Sequence, residues 1–105
     1  GLTFKENCPD TRNSKVFDMI HIFSEKGIET DIYDPWVSLK QFDGNAIINL
    51  IEFPKTNYYN CIILAVAHDE FHKIGINQVR SFGVENSIIY DLKFMFSADD
   101  TDLRL

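Results

Sequence analysis

Residues 61–67 read CIILAVA, an unbroken apolar run rich in β-branched side chains. Such a run suits a strand covered on both faces, as in a parallel sheet, and so predicts the central strand of the chain. Asp69 and Glu70 follow it and suit the positive end of a helix. The inner face of that helix is predicted to be Phe71, Ile74, Val79 and Phe82, with a stop near Gly83. The stretch SIIYDLKF, residues 87–94, supplies another strand. Strands alternating with helices over short connections give an α/β domain with a mostly parallel sheet flanked by helices.

The first half fits that plan. Val16, Phe17, Ile20 and Phe23 share a helix face that Gly27 ends. Asp10, Asn13 and Ser14 are all competent caps for its start. IETDIYDP alternates Ile28, Thr30 and Ile32 before a turn at Asp34 and Pro35, and reads as a strand. VSLKQFDGN predicts a short surface helix closing at Gly44, whereas AIINLIEF fits strand or helix equally. The opening GLTF is strand-like but has at most four residues before a polar loop. The chain is therefore expected to be cut from a longer protein and weakened at that edge.

With 105 residues and no internal repeat or linker, one domain over 1–105 is expected. Hydrophobic residues at 45% and aromatics at 13% exclude a disordered segment. A net charge of −6 opposes the counterion release that drives nucleic-acid binding. No apolar run approaches the roughly 20 residues of a membrane span, and no basic-then-apolar leader opens the chain, so a cytoplasmic protein is expected. Cys8 and Cys61 belong to no CxxC and read as reduced thiols.

In open parallel sheets, ligands sit beyond the carboxyl ends of the strands. Here those ends are the Lys5–Arg12 loop, Asp34, His68 and the Asp91–Lys93 stretch. A dinucleotide site would need GxGxxG at the first turn, but the glycines fall at 1, 27, 44, 75 and 83. Asp34 stands where a ribose-binding acid would, but without the glycines it reads as a turn-forming residue before Pro35. HDEFH spaces His68 and His72 like a zinc motif but has Asp69 in place of Glu, and SADDTD lacks the glycine and glutamate of a calcium loop. No metal site is expected. No histidine neighbours Cys8 in sequence, so that thiol reads as inert. Lys5 and Arg12 form either a diphosphate site beside helix N–H groups or a solvated lysine next to an arginine paired with Asp10 or Glu6.

GLTFKENCPDTRNSK, together with YDPW, ILAVAHDEF and IIYDLK, closely resembles the C-terminal domain of the UDP-glucose/GDP-mannose dehydrogenase family. Its wording is most similar to the bacterial branch acting on UDP-N-acetylglucosamine or UDP-N-acetylgalactosamine. The resemblance implies a Rossmann-like three-layer fold and a parent enzyme that oxidises the sugar C6 alcohol to a carboxylate in two NAD-dependent steps, serving capsule or other surface polysaccharide. It places the NAD domain and the catalytic cysteine, which forms a thiohemiacetal, in earlier parts of such a chain. This stretch is therefore expected to be the UDP-binding domain alone, inactive by itself, within a parent that oligomerises through other parts. Carried over by position, Phe4 and Lys5 match UDP-sugar contacts and Arg12 matches an arginine that reaches NAD across the domains. Arg104 matches the arginine of an Asp-Gly-Arg motif that touches the nucleotide sugar, written here Asp102-Leu103-Arg104 with a side chain replacing the glycine.

Overall fold

The apolar face of residues 16–23 folds as predicted into helix α1 (Val16–Glu25) of a computed structural model that describes residues 1–104. The N-cap position falls to Lys15, which makes no side-chain cap bond, while Ser14 Oγ just before it accepts from the Val16 N–H at 3.3 Å. At the far end Gly27 adopts φ +72°, with its N–H on the Ser24 carbonyl (3.1 Å) and the Ile28 N–H on the Phe23 carbonyl (2.9 Å). This double closure satisfies carbonyls left over at the helix end and needs the left-handed backbone that glycine adopts without strain.

Two compact units follow one another along the chain, Gly1–Pro54 and the part from Lys55 onward. In the first, β1 (Asp31–Ile32) pairs in parallel with β2 (Asn49–Leu50), so the ambiguous AIINLIEF segment contains a strand. Leu2, Ile20, Ile32 and Ile48 form its buried core, with Val16, Phe17 and Phe42 packed around them. Two expectations need correction here. Residues 36–44 form successive turns rather than a helix: Gln41, Asp43 and Asn45 each donate to a carbonyl only three residues back. Residues 1–4 are not a strand either, because the Leu2 and Thr3 N–H groups are taken by the Asp34 carboxylate at 2.7 and 3.2 Å.

The second unit holds a three-stranded parallel sheet of β3 (Tyr59–Leu64), β4 (Gly83–Asp91) and β5 (Leu103–Arg104), in the order β3-β4-β5. The apolar run is thus a strand, but β4 holds the middle of this sheet and burial is complete only at Leu64, Ala65 and Val66. Alternation along the strands explains the difference. Leu64 and Ile89 face Val79 and Phe82, whereas Cys61 and its cross-strand partner Ile88 remain exposed. The helix predicted over 69–82 is two helices, α2 (Asp69–Ile74) and α3 (Ile76–Phe82), broken at Gly75, whose φ of +82° lies outside the helical range. Between Tyr59↔Gly83 and Cys61↔Ile88 the register jumps, and β4 bulges through Asn86 (φ +67°) so that Ser87 folds back over Gly83.

Candidate functional site

The loop after Thr3 is built by polar ties. Asp34 is 4% exposed at the carboxyl end of β1, and its Oδ2 accepts from Leu2 and Thr3 while Oδ1 accepts from the Trp36 N–H at 2.8 Å. A buried carboxylate is tolerated because these N–H groups replace its water. Asp34 therefore anchors a loop across the fold, where sequence offered only a turn or a ribose contact. Past the anchor, the Thr3 hydroxyl donates to the Lys5 carbonyl (2.9 Å) and the Phe4 N–H to the Asp10 carbonyl (2.8 Å), while Asn7 takes φ +54°. The result is a closed loop that presents Phe4, 57% exposed, and an exposed Lys5.

Arg12 pairs with Asp10 and not Glu6, the pairing named in the solvated-lysine alternative for this loop. Its Nε donates to Asp10 Oδ1 (3.0 Å) and its Nη2 to Asp10 Oδ2 (2.9 Å), and its backbone N–H also reaches Oδ1 (2.9 Å). The Arg12 fork, with the backbone bond, holds the Asp10 carboxyl down at about 2. Nη1 is outside this fork, and Lys5 has no ion-pair partner among the described residues. The loop thus offers one free ammonium, one partly committed guanidinium and an exposed ring, a set suited to an anionic ligand with a flat or apolar part.

Arg104 lies in the second unit, on β5, with its guanidinium carbon 4.4 Å from the centre of the Phe94 ring. Phe94 is itself exposed and has a left-handed backbone (φ +52°), which is uncommon for an aromatic residue. At the carboxyl end of β4, the buried Asp91 accepts from the Lys93 N–H (3.1 Å) and the Phe96 N–H (3.0 Å), which shapes the turn carrying Phe94. Sequence reading marked Asp91 and Asp34 as strand ends but missed the backbone ties that both carboxylates make, and it missed Phe94. The repeated Ile-Tyr-Asp at 32–34 and 89–91 was the available signal for two of them.

The other candidates have structural surroundings. His68 is fully buried at the start of α2 and packs edge-on against Phe71, while His72 is exposed. In the acidic tail, Ser97 Oγ accepts from the Asp99 N–H and Asp102 pairs with Arg80. No described helix is long and apolar enough to cross a membrane. As for a dinucleotide cradle, none of the described glycines joins a strand to a following helix: Gly27 ends α1, Gly44 lies in a turn, Gly75 separates two helices and Gly83 opens β4. Among the described residues, these four glycines do not form the cradle that holds the pyrophosphate of NAD in the Rossmann manner.

Two parallel sheets, with β3 and β4 joined through α2 and α3, are those of a Rossmann-like α/β fold. The family model for the UDP-glucose/GDP-mannose dehydrogenase family, UDP binding domain, matches residues 1–98. The chain belongs to that family, as its UDP-binding domain. It is 45% identical over 105 residues to the UDP-N-acetyl-D-glucosamine 6-dehydrogenase of Pseudomonas aeruginosa and 37% identical to that of Salmonella typhi, covering 100% of this chain and 25% of each relative. Protein CapL of Staphylococcus aureus is 32% identical over 109 residues, covering 98% of this chain and 24% of its own length. The chain thus spans about a quarter of the curated relatives it matches.

Proposed function

We propose that this chain is the UDP-sugar-binding domain of an NAD-dependent UDP-N-acetylhexosamine 6-dehydrogenase, which oxidises the sugar C6 alcohol to a carboxylate for surface polysaccharide synthesis. The observation that carries this reading is the identity along the whole chain to two UDP-N-acetyl-D-glucosamine 6-dehydrogenases. In this reading residues 1–105 act as one binding domain, since the family match runs through both compact units. Phe4, Lys5 and Arg104 contact the UDP-sugar: Lys5 supplies positive charge to the diphosphate, and Phe4 offers an exposed ring beside it. Arg12 reaches toward NAD held by the parts of the parent outside this chain, using the donors that Asp10 leaves free. The catalytic cysteine belongs to those parts too, so this chain alone turns over nothing. The parent is a cytoplasmic homo-oligomer.

NADH formation by the full-length protein with four substrates tests the reading. Faster turnover of UDP-N-acetylglucosamine or UDP-N-acetylgalactosamine than of UDP-glucose or GDP-mannose is the expected result. Preference for either of the latter two would move the protein to another branch of the family. No NADH with any of the four would contradict the enzymatic reading and favour an interaction module.

A further inference from the structure

Among the described residues, strand β5 is Leu103–Arg104, both exposed, and pairs with Tyr90 and Asp91 of β4. Ordering so short a segment has an entropy cost that little burial opposes. What holds it lies just before it. The Asp102 N–H donates to the Ile89 carbonyl (3.0 Å), and Asp102 Oδ2 accepts from the Ile89 N–H (2.8 Å). The same Oδ2 accepts from Arg80 Nη1 at 2.8 Å. Arg80 stands in the last turn of α3, and its Nη2 donates to the Asp100 carbonyl at 2.8 Å. One guanidinium thus fixes two points of the segment that leads into Arg104, while Asp102 locks that segment to β4. At its tip the Arg104 guanidinium rests on Phe94.

We propose that Arg80 and Asp102 are positioning residues for nucleotide-sugar recognition, acting through Arg104. They form a latch between α3, β4 and the segment leading into β5 that sets where the Arg104 guanidinium is presented. This rests on the reading of Arg104 as a UDP-sugar contact. The fork explains why an arginine serves at position 80. A lysine could pair with Asp102 but could not hold the Asp100 carbonyl with the same planar geometry.

The test is a double-mutant cycle in the full-length protein, reading KM for UDP-N-acetylglucosamine and kcat. Arg104→Ala is expected to raise KM about tenfold, the scale of one charge-assisted contact. Arg80→Ala should raise KM by a similar factor with kcat nearly unchanged, and Arg80→Ala/Arg104→Ala should be no worse than Arg104→Ala alone. Arg80→Lys should recover part of the loss. Should Arg80→Ala fold poorly, Asp102→Asn keeps the side-chain size, weakens the ion pair and should move KM in the same direction by less. If the two effects multiply, or if Arg104→Ala raises KM and neither latch variant does, the latch is overturned and the reading of Arg104 stands. If Arg104→Ala leaves KM unchanged, that reading falls and takes the latch with it.

Discussion

Ile-Tyr-Asp closes β4 and runs two residues past β1, and the two aspartates are both buried acceptors of backbone N–H groups, yet they hold different things. Asp91 reaches only forward, to Lys93 and Phe96, and shapes a local turn. Asp34 reaches forward to Trp36 and also back to Leu2 and Thr3, the residues that precede the Phe4–Arg12 loop. The first unit has strands of two residues and depends on such ties for the position of its loop. The second has strands of six and nine residues, with the short β5 beside them, over a core of Leu64, Val79, Phe82 and Ile89. The same chemistry is therefore a long-range anchor in one unit and a local turn in the other.

Asp34→Ala should be the most damaging single change, because it strands three N–H donors, and we expect a loss of about 3–5 kcal/mol in denaturant unfolding. Asp91→Ala should cost less, about 2–3 kcal/mol, and leave the amide resonances of residues 2–12 in place. Equal losses, or movement of the 2–12 resonances in the Asp91 variant, would break the comparison.

Gly83→Ala examines the bulge that marks the second unit. A Cβ there would collide with the Ser87 side chain although the φ of −84° suits any residue. The expected cost is about 1–3 kcal/mol, the range for overpacking, with partial recovery on adding Ser87→Gly. An unchanged unfolding midpoint would show that the bulge yields freely.

The smallest effects are electrostatic. Asp10 sits at about 2 chiefly because of the Arg12 side chain, so Arg12→Ala should return most of its shift in a carboxyl NMR titration. Asp102 is also lowered, but first by the Ile89 N–H and only then by Arg80, so Arg80→Ala should leave much of its depression intact. Both folded values lie below the unfolded carboxylate value. Each pair therefore contributes fully above that value and is lost as pH falls through the folded one, near pH 2 for Asp10. Salt should weaken the exposed Asp10–Arg12 pair. A larger recovery at Asp102 than at Asp10 would reverse the assigned causes.

Much of this was legible locally. The α1 face with its Gly27 stop and the strands in CIILAVA and SIIYDLKF follow from periodicity and end signals, although those strands end at Leu64 and Asp91, short of residues 67 and 94. What escaped depends on contacts distant in sequence. Residues 1–4 look like a strand, and nothing near them reveals a carboxylate 32 residues away. Gly75 inside a helical pattern is compatible with a continuous helix, and only its backbone angle shows the break. At the site, residue types marked Lys5 and Arg12 as an anion candidate but left their pairing even, and the family resemblance alone singled out Phe4 and Arg104. Arg80 carried no motif, and Asp102 stood out only as part of SADDTD and of Asp102-Leu103-Arg104, with nothing to tie it to an arginine 22 residues away.

The most direct test of the central claim, that this chain recognises UDP through Phe4, Lys5 and Arg104, is an amide NMR titration with UDP, using ADP and NAD as controls. Shifts concentrated over residues 4–12 and at Arg104, produced by UDP and not by ADP, are the expected result. No response to millimolar UDP, or a response that leaves Phe4, Lys5 and Arg104 unmoved, would contradict it.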